Sequence, residues 1–239
     1  MLKFQTYIVQ LIFLLLLIIG LNALTPAQST IFNIPSTDVL QKKSFYIEGD
    51  FISHLDSYQN GGFQTYGYRT VYGVKKRFEV GFNLFYTRNG RVTPIEFQPN
   101  FKFKVYENEK YGVSATTGVL VVTSLNRVAR SRTSAQVYAN VSKVIKQTNG
   151  TRVTGGFYTI GGGENDFGTK NGVTVGLEQP VKGKFTFMGD WSSGNNRYGY
   201  STAGLNYAFT KRQFLLLGYN FGNSGRGNNA ISAFYGLTY

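Results

Sequence analysis

The chain has no cysteine, which excludes disulfides, thiolate metal sites, cysteine nucleophiles and a lipidated N-terminal cysteine. Histidine is almost as scarce. His54 is the single one, so a histidine-rich metal cluster is excluded too. Acids are few: 12 Asp and Glu stand against 25 Lys and Arg, a formal charge of +13. Such an excess invites a nucleic-acid reading. Yet the cations cluster in short stretches, Lys75-Lys76-Arg77, Arg127 to Arg132, Lys182 and Lys184, and Lys211-Arg212, with no basic helix or tail. Solvated turn charges flanking a membrane account for this pattern, and nucleic acid is not an expected partner.

What is abundant points the other way from a helical enzyme. There are 29 Gly, 17 Tyr and 20 Phe beside 2 Met, 1 Trp and 5 Pro. Aromatic side chains suit a pleated surface and glycine weakens helices, so strands and tight turns are expected.

The one long apolar run is Leu11 to Leu21, preceded by Lys3 and followed by the small, polar Asn22 to Gln28. That order is a secretory signal peptide, residues 1–27, with Thr25 and Ala27 at the small-residue positions. An uncleaved anchor would need about 20 apolar residues, more than this core supplies.

From there on, hydrophobicity alternates with period two. In the run from Ile95 to Tyr106, Ile95, Phe97, Phe101, Phe103 and Val105 share one face, and Glu96, Gln98, Asn100, Lys102 and Lys104 the other. Similar runs follow Phe78, Val173, Phe185, Leu215 and Ile231. Turn signals such as Gln59-Asn60-Gly61-Gly62 and Arg88-Asn89-Gly90 separate them. The spacing predicts about twelve strands, beginning near 43, 63, 77, 94, 111, 133, 151, 171, 184, 198, 213 and 229.

A β-sandwich or a lipocalin-like barrel would alternate in the same way. Three features favour the inside-out version, an all-β, closed, antiparallel up-and-down transmembrane barrel over residues 43–239. The first is the signal peptide. The second is charge at mid-strand, which a hydrated lumen tolerates. The third is aromatics near strand ends, as a membrane girdle requires: Tyr66, Tyr68, Tyr72, Tyr198, Tyr200, Tyr207 and Phe209. Residues 28–42 are not expected to form a strand, since Pro35 lacks a donor and Ser36, Thr37 and Asp38 favour a turn. With Ile31, Phe32 and Ile34 this periplasmic segment could tuck in as a small plug.

Strand parity aims Glu48, Asp50, Glu79, Glu96, Glu178 and Asp190 at the lumen, with Arg69, Lys102, Lys104 and Arg152. In a wet channel such charges act as a selectivity filter. In a bore of roughly 10 Å they could instead pair and close it.

The last strand carries Ile231, Ala233, Tyr235, Leu237 and the terminal Tyr239 at every second position. It resembles the C-terminal signal of bacterial outer-membrane proteins, which implies recognition by the barrel-assembly machinery. The stretches Ile31-Phe32-Asn33-Ile34-Pro35-Ser36-Thr37-Asp38, Phe97-Gln98-Pro99-Asn100 and Glu178-Gln179-Pro180 resemble a family of small, porin-like bacterial outer-membrane β-barrel proteins. That resemblance spans most of the mature chain. It implies the fold and an outer-membrane location, and carries over no functional residues.

No catalytic, metal or cofactor constellation is expected. Ser53, His54 and Asp56 are neighbours on a strand, where alternation prevents a triad. The His-x-Ser pair of outer-membrane phospholipase A is absent, because position 56 is Asp. Gly161-Gly162-Gly163 before Glu164, Asn165 and Asp166 lacks the Gly-Lys-Ser/Thr of a phosphate loop and the spaced carboxylates of a calcium loop. The expected function is a passive pore for small hydrophilic solutes or ions. The alternatives are a closed barrel whose basic loops contact lipopolysaccharide or partner proteins, and a membrane-embedded hydrolase.

Overall fold

A computed structural model describes residues 29–126, 133–163 and 168–239, the Arg226 side chain excepted. The signal peptide, Arg127, Arg130, Arg132 and Glu164 to Asp166 lie outside the described residues. Twelve strands follow one another: β1 Phe45–His54, β2 Phe63–Lys75, β3 Phe78–Arg88, β4 Ile95–Asn108, β5 Val113–Ser124 and β6 Ser134–Ile145. Then come β7 Thr151–Gly162, β8 Asn171–Lys182, β9 Phe185–Ser192, β10 Tyr200–Ala208, β11 Gln213–Gly222 and β12 Ala230–Thr238. Each begins within two residues of its expected start.

Every strand pairs antiparallel with its sequence neighbours, and β12 returns to β1 to close the barrel. Full closure leaves no unpaired edge, which a sheet in hydrocarbon requires. The seam is complete to its end, where Phe45 and Tyr239 exchange backbone hydrogen bonds of 2.9 and 2.7 Å. Proline is tolerated in β8 because the ladder bulges there, between Pro180 and Lys182.

The connections alternate. Two to five residues link β2–β3, β4–β5, β6–β7, β8–β9 and β10–β11, and six to nine link the other pairs. One end of the barrel therefore carries the short turns, the start of β1 and the end of β12, and the other carries the longer loops. Short periplasmic turns and longer outer loops are the rule for such barrels.

The outside is apolar. Phe82, Leu84, Phe101, Val137, Val175, Leu205 and Leu217 are exposed around the wall, as a lipid-facing band must be. Aromatic rings border it. Near the short turns Phe185, Tyr207, Phe209 and Tyr235 run ring to ring at 4.9, 5.0 and 6.4 Å. Near the loops Phe51, Tyr66 and Tyr86 do the same at 5.5 and 6.4 Å.

Two aromatics expected in that girdle are elsewhere. Tyr198 and Tyr200 line the interior cavity. The register explains it: β10 turns Tyr200 to the same side as the buried Thr202 and sends Ser201, Ala203 and Leu205 outward.

Candidate functional site

The barrel is not empty. Residues 29–44 form no strand of the wall, and their closest approach to one is an isolated bridge, Thr30 to Pro35. Ile31 donates to the Ile34 carbonyl at 2.9 Å and Ser36 to that of Ser29 at 3.0 Å, closing a tight loop inside the barrel. The chain then runs down to the short-turn end, where the Lys43 N–H reaches the Gly73 carbonyl at 2.7 Å.

Apolar side chains seat this loop. Ile31, Phe32, Ile34 and Leu40 are almost fully buried, packed with Tyr46, Val71, Met188, Phe214, Leu216 and Phe234 of the wall. Two glycines make the room. A Cβ on Gly218 would stand 2.4 Å from the Phe32 ring, and one on Gly176 would stand 2.4 Å from the Ile31 Cδ1.

Polar contacts then fix its position. The Asp190 carboxylate accepts the backbone N–H groups of Phe32, Asn33 and Ile34 at 2.9, 2.6 and 3.0 Å. Consecutive amides converging on one oxygen form a backbone nest for an anion. The Asn33 amide adds bonds to Asp190 at 3.1 Å and to Thr202 at 2.5 Å. On another wall, Asn140 donates to the Pro35 carbonyl at 2.7 Å, and the Thr37 and Ser142 hydroxyls meet at 2.5 Å. Glu79 accepts the Leu40 N–H at 2.7 Å and the Ser29 hydroxyl at 3.1 Å. Lys102, paired with Glu79 at 3.0 Å, donates to the carbonyls of Ser29 and Asp38 at 3.0 and 2.6 Å.

Asp38 meets Arg152 at 2.7 Å, and Arg152 also grips Glu178 through two nitrogens. Burial works against ionisation of Asp38. The Arg152, Lys102 and Lys104 charges outweigh it and hold the carboxyl below its ordinary value.

Parity aims ten charged residues inward, and beside the docked loop nine of them fall into five ion-paired groups, with Asp190 apart. Arg69 sits 2.6 Å from Asp50 and 3.3 Å from Glu48, which also accepts the Tyr46 hydroxyl, and donates to Thr30 at 3.2 Å. Its guanidinium lies 5.5 Å from the ring centres of Phe85 and Phe234. Glu79 with Lys102, and Glu178 with Arg152, are the two pairs already described. Lys104 turns instead to Glu107 at 2.5 Å, and Glu96 reaches Arg197 in a loop at 2.6 Å. Asp190 stands apart from these cations and serves the loop amides.

Above the docked loop a cavity of about 580 Å³ extends to the loop end of the barrel. Phe32, Asn33 and Pro35 form its floor and Asn196, Arg197 and Ser224 its rim. Its wall carries a chain of amides: Asn83 donates to Gln98 at 3.3 Å, and Gln98 to Glu96 at 3.0 Å.

His54 stands at the end of β1 with its ring nitrogen against the Asn229 carbonyl, and the Ser53 hydroxyl donates to the Phe63 carbonyl at 3.1 Å. In β12, Ile231, Ala233, Tyr235 and Leu237 alternate with the buried Ser232, Phe234 and Gly236.

No family model matches the chain, and a search of the curated proteins found no match. Among solved structures, an outer-membrane channel from Pseudomonas putida F1 matches with a TM-score of 0.54 at 11% identity, over 90% of this chain and 100% of that one. The fold is that of a bacterial outer-membrane β-barrel. Outer membrane phospholipase A from Escherichia coli matches at a TM-score of 0.48 and 13% identity, over 82% and 92% of the two chains. An outer-membrane protein from Acinetobacter baumannii matches at 0.47 and 10%, over 83% and 98%. At these identities the likeness concerns architecture, and what an outer-membrane barrel does is read from its interior.

Proposed function

We propose that this outer-membrane barrel is a channel for small hydrophilic solutes or ions, held closed at rest by residues 28–42 acting as a plug. The observation that carries the reading is the Asp190 carboxylate, which holds three successive backbone amides of the segment against one wall. Asn140, Glu79 and Arg152 hold it against others. Burying an apolar side chain contributes about 1.5–3 kcal/mol, and fixing a backbone residue costs about 1–2 kcal/mol. The terms are of similar size, so the polar contacts decide whether the segment stays.

With the plug released, Glu48, Asp50 and Asp190 would face the bore at mid-height, with Arg69, Glu79, Glu96, Lys102, Lys104, Arg152 and Glu178 around them. In this reading they set selectivity. The cavity amides Asn83, Gln98 and Gln136 offer both donors and acceptors, which suits a neutral polar solute. The reading takes the protein as non-enzymatic, exported by the signal peptide 1–27 and assembled through Ile231, Ala233, Tyr235, Leu237 and Tyr239.

A second reading is a permanently closed barrel whose loops contact lipopolysaccharide or partner proteins. The pairing of the interior charges supports it. A reversible lock separates the two. The chain has no cysteine of its own, and the Asn33 and Thr202 side chains meet at 2.5 Å. The N33C/T202C variant also loses the Asn33 side-chain bonds to Asp190 and Thr202, so the channel reading expects measurable solute flux into vesicles through its more frequent openings when reduced, and none when oxidised. Equal, negligible flux in both states favours the closed barrel.

A further inference from the structure

The turn end of the barrel carries charge that neither the plug nor the cavity uses. Each of the five short turns bears exposed cations, with Lys76, Lys110, Lys146, Lys184 and Lys211 among them, and Lys43 stands on the approach to β1. The one acid of these turns is Glu109, and Glu107, at the end of β4, is taken by Lys104. None of the six cations forms an ion pair among the described residues. A ring of like charge without counter-ions among the described residues repels itself, and an external anion offsets that repulsion.

Position identifies the anion. The ring lies directly beyond the aromatic border of the lipid-facing band. The Lys184 ammonium donates to the Phe209 carbonyl at 2.8 Å and lies 6.0 Å from the Tyr207 ring centre. The Lys110 ammonium lies 5.4 Å from the ring centre of Tyr111. Rings of this kind sit at headgroup level, with lysines extending past them toward the polar layer. The charge also encircles the barrel, where a docked protein would need it gathered on one side. We infer that the short-turn rim binds anionic phospholipid headgroups of the membrane leaflet on its own side, phosphate against lysine and arginine.

The test uses the full mature protein in vesicles of phosphatidylethanolamine with a minor share of phosphatidylglycerol. The lipid that stays bound through mild detergent extraction is then quantified. Phosphatidylglycerol should be enriched about fivefold over its bulk share, falling toward bulk composition at high salt. The K76Q/K110Q/K146Q/K184Q/K211Q variant should lose the enrichment while keeping the heat-modifiable mobility of a folded barrel. Should that variant not fold, the salt dependence of the wild type decides alone. Bulk composition in the wild type, or enrichment indifferent to salt, overturns the inference. Isolated cell-wall sacculi serve as the rival ligand. Sacculus binding abolished by the variant, with lipid enrichment unchanged, also overturns it.

Discussion

Asp190 in β9 accepts the backbone N–H of Asn33 at 2.6 Å and its side-chain amide at 3.1 Å, tying the N-terminal segment to the far wall. Among the described residues Asp190 forms no ion pair, so its charge is committed to the segment. Hydrogen bonds to charged groups contribute about 1.5–3 kcal/mol each and do not add fully. Asp190→Ala should weaken docking by about 3 kcal/mol, roughly a hundredfold in the ratio of docked to released segment. Asp190→Asn, which keeps an acceptor, should fall between. Protease access to residues 29–40 in folded barrels measures this, and wild-type protection in Asp190→Ala would remove the anchor from the account.

Shape gives an independent handle. Gly218→Ala puts a methyl where the Phe32 ring lies, 2.4 Å from its Cε1, with the Ser232 hydroxyl the next neighbour at 3.2 Å. The methyl should expel the segment and leave the wall intact. Adding Phe32→Ala should let the segment return, because the clash is with that ring. If the double variant stays as open as Gly218→Ala, the clash lies elsewhere.

The Asp38–Arg152 pair predicts a pH response. The Asp38 carboxyl is held below its ordinary value of 3.8 while the segment is docked. Its ionised form therefore favours docking fully above that value, and the contribution is lost as pH falls through the lowered one. Wild type and Asp38→Asn should differ in segment release near neutrality and converge in acid. A gap unchanged across that range would show that the pair contributes nothing to docking.

Tyr239 closes the seam with Phe45 and ends the outward alternation of β12. Deleting it, or replacing it with a charged residue, should lower the amount of folded barrel in the outer membrane. Normal levels would mean that the C-terminal pattern is not an assembly signal.

The strands were legible because alternation and glycine-rich turns are local signals. The same alternation turns Glu48, Asp50, Glu79, Lys102, Lys104 and Asp190 to the buried side of the wall. The partners were not legible: Asp38 and Arg152 are 114 positions apart, and Glu96 and Arg197 are 101 apart. Only barrel closure brings such residues together. The alternation of Leu215, Leu217, Tyr219 and Phe221 leaves Phe214 and Leu216 on the opposite face, and no local signal says that a segment seats on them. Phe214 and Leu216 are the buried ones and belong to the cluster around Phe32. Tyr198 and Tyr200 line the cavity and not the girdle, because an aromatic near a strand end serves a lumen mouth as readily as a lipid border.

The central claim is that the N-terminal segment closes an otherwise passable bore, and single-channel recording in planar bilayers tests it most directly. The full mature protein should be silent or open rarely and briefly. The form lacking residues 28–42, folded by the same heat-modifiability criterion, should show steady conductance, with cation preference reduced in E48Q/D50N/D190N. A truncated form that conducts no better than the full protein would contradict the account and leave the closed barrel in its place.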